Sequence, residues 1–253
     1  MEKIKITAVS YLNTKPLLYG LFKSDIAERI ELQLNIPSVC AQKLKSGEVD
    51  LGLVPVAILP ELAHAEIISD YCIGSDGRVN TVGIFSQRPL EELEAIVLDF
   101  HSRTSVELLR ILLREYWKCA PALLPGKQGF EERIGGSTGA LIIGDRAIGA
   151  QERYDYYYDL GEAWTLHTGL PFVFAAWVAT KAIEPVFLRE FNSALALGLR
   201  HLPQLMFLLP SPTPGFDLKA YFTQNISYTL DQQKRKALNR FLAGMGQTAL
   251  QAQ

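Results

Sequence analysis

The chain has 253 residues, with 25 Lys plus Arg against 27 Asp plus Glu and a formal net charge of −2. That length suits one large domain or two small ones with real cores. The near-neutral balance, without any basic run, excludes the electrostatic footprint of a nucleic-acid binder.

Hydrophobic residues make up 48% and charged residues 21%, ordinary proportions for a globular protein. The first residues run straight into strand-like sequence, with no charged head, apolar core and small-residue cleavage site. The longest apolar run, residues 170–180, is too short to span a bilayer and contains Pro171. Cys40, Cys72 and Cys119 are odd in number, widely spaced and form no CxxC pair, which suits a reducing compartment. The expectation is a cytoplasmic protein without a membrane partner.

In chain order, residues 5–9 read as a strand, and Thr14-Lys15-Pro16 as a cap with proline in the first helical turn. Residues 30–36 alternate apolar and polar, as a half-buried strand does; Pro37-Ser38 then opens a helix ending at Gly47. Residues 49–54 form a short buried strand, and Pro55 begins another helix. A strand over 79–86 is followed by the polar stretch Gln87-Arg88-Pro89 and a second unit. That unit has a strand over 95–99, a helix over 104–117 opening with a Thr104…Glu107 capping box, and a buried strand over 140–144. The tyrosines at 154 and 156–158 read as a loop, and Gly135 to Gly139 as a turn. Residues 170–180 read as the return crossing. Helices over 185–202 and 229–244 complete the chain, the latter opening with a T-x-x-Q box and stopping at glycine.

Strand, loop, helix order implies a largely parallel sheet with crossover helices. Two crossings between units predict an α/β fold of two lobes. Residues 1–86 plus 175–253 would form the large lobe and 87–174 the inserted small one. Ligands of such sheets sit outside the carboxyl ends of the strands, where helix amino ends favour anions.

Several loops fall at that rim. Ser10, Tyr11, Asn13 and Thr14 follow the first strand, and either cap and pack or bind a substrate. Ser38 and Pro55 open their helices at the same edge. Ser102-Arg103-Thr104-Ser105 places three hydroxyls and a guanidinium at a helix start, a cradle suited to a carboxylate. Thr81 enters the first crossing strand, where a hydroxyl would face the cleft; β-propensity explains it equally. Gly144 and Asp145 end a buried strand, with capping the simplest role for Asp145. His64, His101, His167 and His201 show no ligand spacing, so neither a metal nor a cofactor is expected. His101 precedes the hydroxyl cradle and titrates in the range of an acid or base.

The order of these blocks resembles the chorismate dehydratase family of the futalosine route to menaquinone. The resemblance rests on residues 9–17 (Val9-Ser10-Tyr11-Leu12-Asn13-Thr14-Lys15-Pro16-Leu17), 52–56, 102–105, 141–145, 159–164 and 168–175. It implies a type II periplasmic-binding-protein-like fold and conversion of chorismate to 3-[(1-carboxyvinyl)oxy]benzoate and water. It also implies Asn13 and Thr81 at the reacting ring, with Ser102, Thr104 and Ser105 on one carboxylate. Thr81 stands where the family usually has serine, Asn80 where a basic residue is common, and His101 where small residues are common. Asparagine is a poor base, so the proton acceptor implied is the substrate's own side-chain carboxylate. The rivals are the enzyme cleaving cyclic de-hypoxanthinyl futalosine, a non-catalytic solute-binding protein, and the effector-binding domain of a regulator.

Overall fold

The computed structural model describes residues 3–251. In chain order the large lobe opens with β1 (Ile4–Val9), α1 (Lys15–Lys23), β2 (Ile30–Asn35), α2 (Pro37–Ser46), β3 (Leu51–Pro55) and β4 (Glu66–Ser75). The small lobe follows with β5 (Val82–Ser86), β6 (Ala95–Leu98), α3 (Thr104–Leu112), β7 (Ala122–Pro125), β8 (Thr138–Ile143), β9 (Tyr156–Asp159) and α4 (Leu160–Thr168). The chain returns through β10 (Phe172–Ala179), α5 (Pro185–Arg200), α6 (Leu202–Leu208), the single turn α7 (Leu218–Ala220), β11 (Ser227–Thr229) and α8 (Gln232–Gln251). Among the described residues, no helix is long and apolar enough to cross a membrane.

The strands build a six-stranded sheet in the order β11-β4-β10-β3-β1-β2 and a five-stranded sheet in the order β7-β6-β8-β5-β9. Both are mixed rather than mainly parallel. β1, β2 and β3 run parallel, as do β6, β7 and β8; helices α1, α2 and α3 make the crossovers from β1 to β2, β2 to β3 and β6 to β7. β10 runs antiparallel to β3 and β4, and β5 antiparallel to β8 and β9. These are the strands at the two crossings: a chain entering from the other lobe arrives from the opposite end. All eight residues of β10 are buried, which accounts for its unbroken apolar sequence.

The sheets change earlier than residues 86 and 174. Val82–Ser86 pairs within the five-stranded sheet, and Phe172 already pairs with Ser75 in the six-stranded one. β10 and β5 therefore belong to different sheets. The tyrosines at 156–158 form edge strand β9 rather than a loop, aromatic residues suiting a pleated surface. Residues 56–61 make only a 3-10 turn, with Pro60 inside it preventing a longer helix. α8 starts at Gln232, where Asp231 accepts the Lys234 N–H, so aspartate and not Thr229 caps it; the helix continues past Gly244.

Cores lie on both faces of the large sheet. Trp177 meets Phe191 of α5 edge-on at 4.9 Å, while Trp164, Phe172 and Phe241 pack together on the side where α8 lies. Helices α1 and α5 touch backbone to backbone. A Cβ on Gly20 would come within 1.9 Å of the Ala194 carbonyl oxygen, and one on Gly198 within 1.9 Å of that of Pro16. Only glycine at both positions permits that approach.

Candidate active site

One cleft takes its walls from both lobes, with about 550 Å³ of space free of protein atoms, part of it open to solvent. The large lobe contributes Tyr11, Asn13 and Thr14 from the turn after β1, and Pro55 at the end of β3. The crossing contributes Thr81, the start of α3 contributes Ser102, Thr104 and Ser105, and Gly144 follows β8. Four other predicted residues do not line it. Ser10 is exposed and donates its N–H to the Asn35 carbonyl. Ser38 and Arg103 line a separate outer groove, where the exposed Arg103 guanidinium pairs with Glu61 at 3.1 Å. Asp145 spans the lobes instead, its two carboxylate oxygens 2.9 and 3.2 Å from the Leu12 N–H that it accepts.

The start of α3 is organised differently from the capping box read in the sequence. Ser102 Oγ accepts the Ser105 N–H at 3.0 Å, so the serine pair closes the helix end. Thr104 Oγ1 accepts the Ala57 N–H at 3.2 Å and ties α3 to the turn after β3. The three hydroxyl residues thus stay at the cleft, and the amino end of α3 gives it a partial positive charge.

Across from α3, Thr14 Oγ1 donates to Asn13 Oδ1 at 3.2 Å. The buried Thr81 hydroxyl lies 3.2 Å from the Tyr221 hydroxyl. Tyr11 lines the cleft beside Gly144: its ring sits where a Cβ on Gly144 would come within 2.6 Å, and its hydroxyl is 2.9 Å from His101 Nδ1. Gly144 has φ +66°, a further reason for glycine there. Behind this contact the buried Asp99 accepts the N–H groups of His101 and Ile143 and pairs with Arg146. Arg146 also reaches Glu131 at 2.8 Å.

Among the described residues lining the cleft there is no lysine, arginine, histidine, aspartate or glutamate. Tyr11 is the one with a titratable side chain; burial first, then Asp99, pushes it above the ordinary phenol range, so it stays protonated. His101 is held below its ordinary value by desolvation and by the Arg146 guanidinium. An anion in this cleft would be met by neutral donors and helix amino ends, with no cation touching it. Apolar walls come from Val9, Ile73, Val79, Val82, Ile143 and Phe174, which the sequence reading did not single out. Their signal was only that of buried strand residues.

A two-lobed α/β chain with a cleft between two mixed sheets has the architecture of the periplasmic-binding-protein fold. A crystal structure of an Archaeoglobus fulgidus protein superposes with a TM-score of 0.74 at 12% identity, covering 98% of each chain. The periplasmic aliphatic sulphonate binding protein SsuA of Escherichia coli gives 0.60 at 13% identity, covering 99% of this chain and 88% of that one. These likenesses show the fold. The chain belongs to the menaquinone biosynthesis family, whose sequence model matches residues 4–246. It is also 28% identical over 259 residues to the chorismate dehydratase of Thermus thermophilus, covering 93% of both chains.

Proposed function

We propose that the protein dehydrates chorismate to 3-[(1-carboxyvinyl)oxy]benzoate, in the futalosine route to menaquinone. The likeness to a chorismate dehydratase along nearly the whole of both chains carries this reading. The family match to menaquinone biosynthesis and the two-lobed cleft agree with it.

In the reaction a ring C–H and the hydroxyl on the next carbon are lost as water. The electron pair of the broken C–H bond completes the aromatic ring as the C–O bond breaks, and the leaving oxygen takes up a proton. The C–H is vinylogous to the ring carboxylate and therefore acidified. Ser102, Thr104 and Ser105 at the start of α3 would hold one carboxylate by neutral hydrogen bonds and the helix dipole. Asn13 and Thr81 would stand at the ring, donating hydrogen bonds to the departing hydroxyl. The cleft offers no ionised base, so the side-chain carboxylate of the substrate is the acceptor of the ring proton. Positioning and preorganised dipoles supply the rest of the acceleration.

Incubation with chorismate, following formation of the aromatic enol ether by absorbance and mass, tests the reading. Turnover supports it. Tight binding without turnover would make the chain a carboxylate-binding protein, and neither binding nor turnover would remove chorismate altogether.

A further inference from the structure

The segment from Tyr221 to Tyr228 reaches both elements on which the proposed chemistry depends. Tyr221 is 1% exposed, and its hydroxyl lies 3.2 Å from Thr81 Oγ1. Tyr228 donates its hydroxyl to the Asn13 carbonyl at 2.8 Å. Asn225 accepts from Asn80 Nδ2 at 2.8 Å and donates to the Arg78 carbonyl at 3.1 Å. Asn80 has φ +64°, in the left-handed region that asparagine adopts more readily than most residues, and its side chain meets Asn225 there. Neither Tyr221 nor Tyr228 lines the cleft, so each acts through its partner.

We propose that Tyr221 is a positioning residue for the Thr81 hydroxyl, and that Tyr221 and Tyr228 together brace Thr81 and Asn13 in one geometry. The proposal rests on the chorismate reading. Threonine has few χ1 choices, and its hydroxyl has a single proton. The Val79 carbonyl, 3.5 Å away, is a distant acceptor for that proton. With Tyr221 donating to Thr81 Oγ1, the threonine proton is left free to point at the leaving oxygen. Burial raises the Tyr221 phenol above its ordinary range, so it keeps the proton it donates. Losing that bond would let Thr81 turn toward Val79 without emptying the cleft of any group that touches substrate.

Steady-state kinetics of the full chain with chorismate test this on wild type, Tyr221→Phe, Thr81→Val and the double variant. Tyr221→Phe should lower kcat about tenfold, the worth of one hydrogen bond, with KM changed less than about twofold. In the Thr81→Val background the same change should alter kcat by less than about twofold, because no hydroxyl remains to orient. An unchanged kcat in Tyr221→Phe, or losses that multiply in the double variant, would overturn the proposal while wild-type turnover keeps the functional reading. Absent turnover in wild type overturns both. If Tyr221→Phe does not fold, Tyr228→Phe tests the Asn13 side of the brace. A lowered kcat at constant KM supports the proposal, and wild-type kinetics overturn it.

Discussion

Asp145 of one lobe holds the backbone N–H of Leu12 in the other, with its oxygens at 2.9 and 3.2 Å. Its carboxyl is drawn above the usual carboxylate range by desolvation, the Leu12 bond opposing. A carboxyl whose folded pKa is raised costs stability once pH exceeds the unfolded value, because the folded state then resists ionisation. Asp145→Asn keeps an acceptor for Leu12 without that cost. Its melting temperature should equal or slightly exceed that of wild type at neutral pH, with the gain vanishing as pH falls toward 3.8, the unperturbed value. The residue keeps an exposed flank, so the effect is small. A variant that melts well below wild type at neutral pH would show that the charge itself is needed.

His101 gives a second, opposite pH signature. Desolvation and Arg146 hold its pKa below 6.5, so the unfolded chain binds the proton first. Stability tied to His101 is complete above that value and declines as pH falls from it to the folded pKa. The groups facing the ring are the Tyr11 hydroxyl and the charges of Asp99, Arg146 and Glu131. Melting curves collected between about pH 5 and pH 8 should show this slope in wild type and a weaker one in His101→Gln, given the range over which histidine titrates.

Gly144→Ala combines two penalties. The left-handed backbone costs about 1–2 kcal/mol for a residue with a Cβ, and that atom meets the Tyr11 ring at 2.6 Å. Tyr11 cannot move without leaving His101. We expect a drop in the denaturation midpoint and a rise in KM for chorismate; a variant with native KM would show that Tyr11 does not shape the cleft.

For the reacting centre, Thr81→Ser should keep turnover within a few-fold, since the hydroxyl near Tyr221 remains. Thr81→Val and Asn13→Ala should each lose about 100-fold or more in kcat, as expected for groups that stabilise developing charge. Circular dichroism must show both folded. Wild-type rates in the two variants would remove them from the chemistry.

How much of this was legible in the sequence differs from element to element. β1, β3 and β8 are short apolar runs beside helix starts, and their rim residues Asn13, Pro55 and Gly144 came with them. β4 was missed: its pairing with β10 slips register between Val173 and Ala175 and again between Ala176 and Val178, and its sequence holds Asp70 and Gly74, so no clean alternation survives. The hydroxyls at the start of α3 were visible as a cluster, but not their partners, because Ala57 comes from the other lobe. Arg103 stands at a helix start as a carboxylate ligand would, but the carboxylate it meets is that of Glu61. Tyr221 and Tyr228 lie 140 and 215 positions from Thr81 and Asn13, and no local pattern carries a contact over that span.

The two glycines at the crossing of α1 and α5 extend the reach of the site beyond its own walls. Asn13 sits in the turn that leads into α1, so the seating of that helix governs the asparagine. An alanine at Gly20 or Gly198 would push the helices apart by meeting a carbonyl oxygen at 1.9 Å. Substitutions on this hidden seam, made for reasons unrelated to chemistry, should therefore register first as slow enzymes.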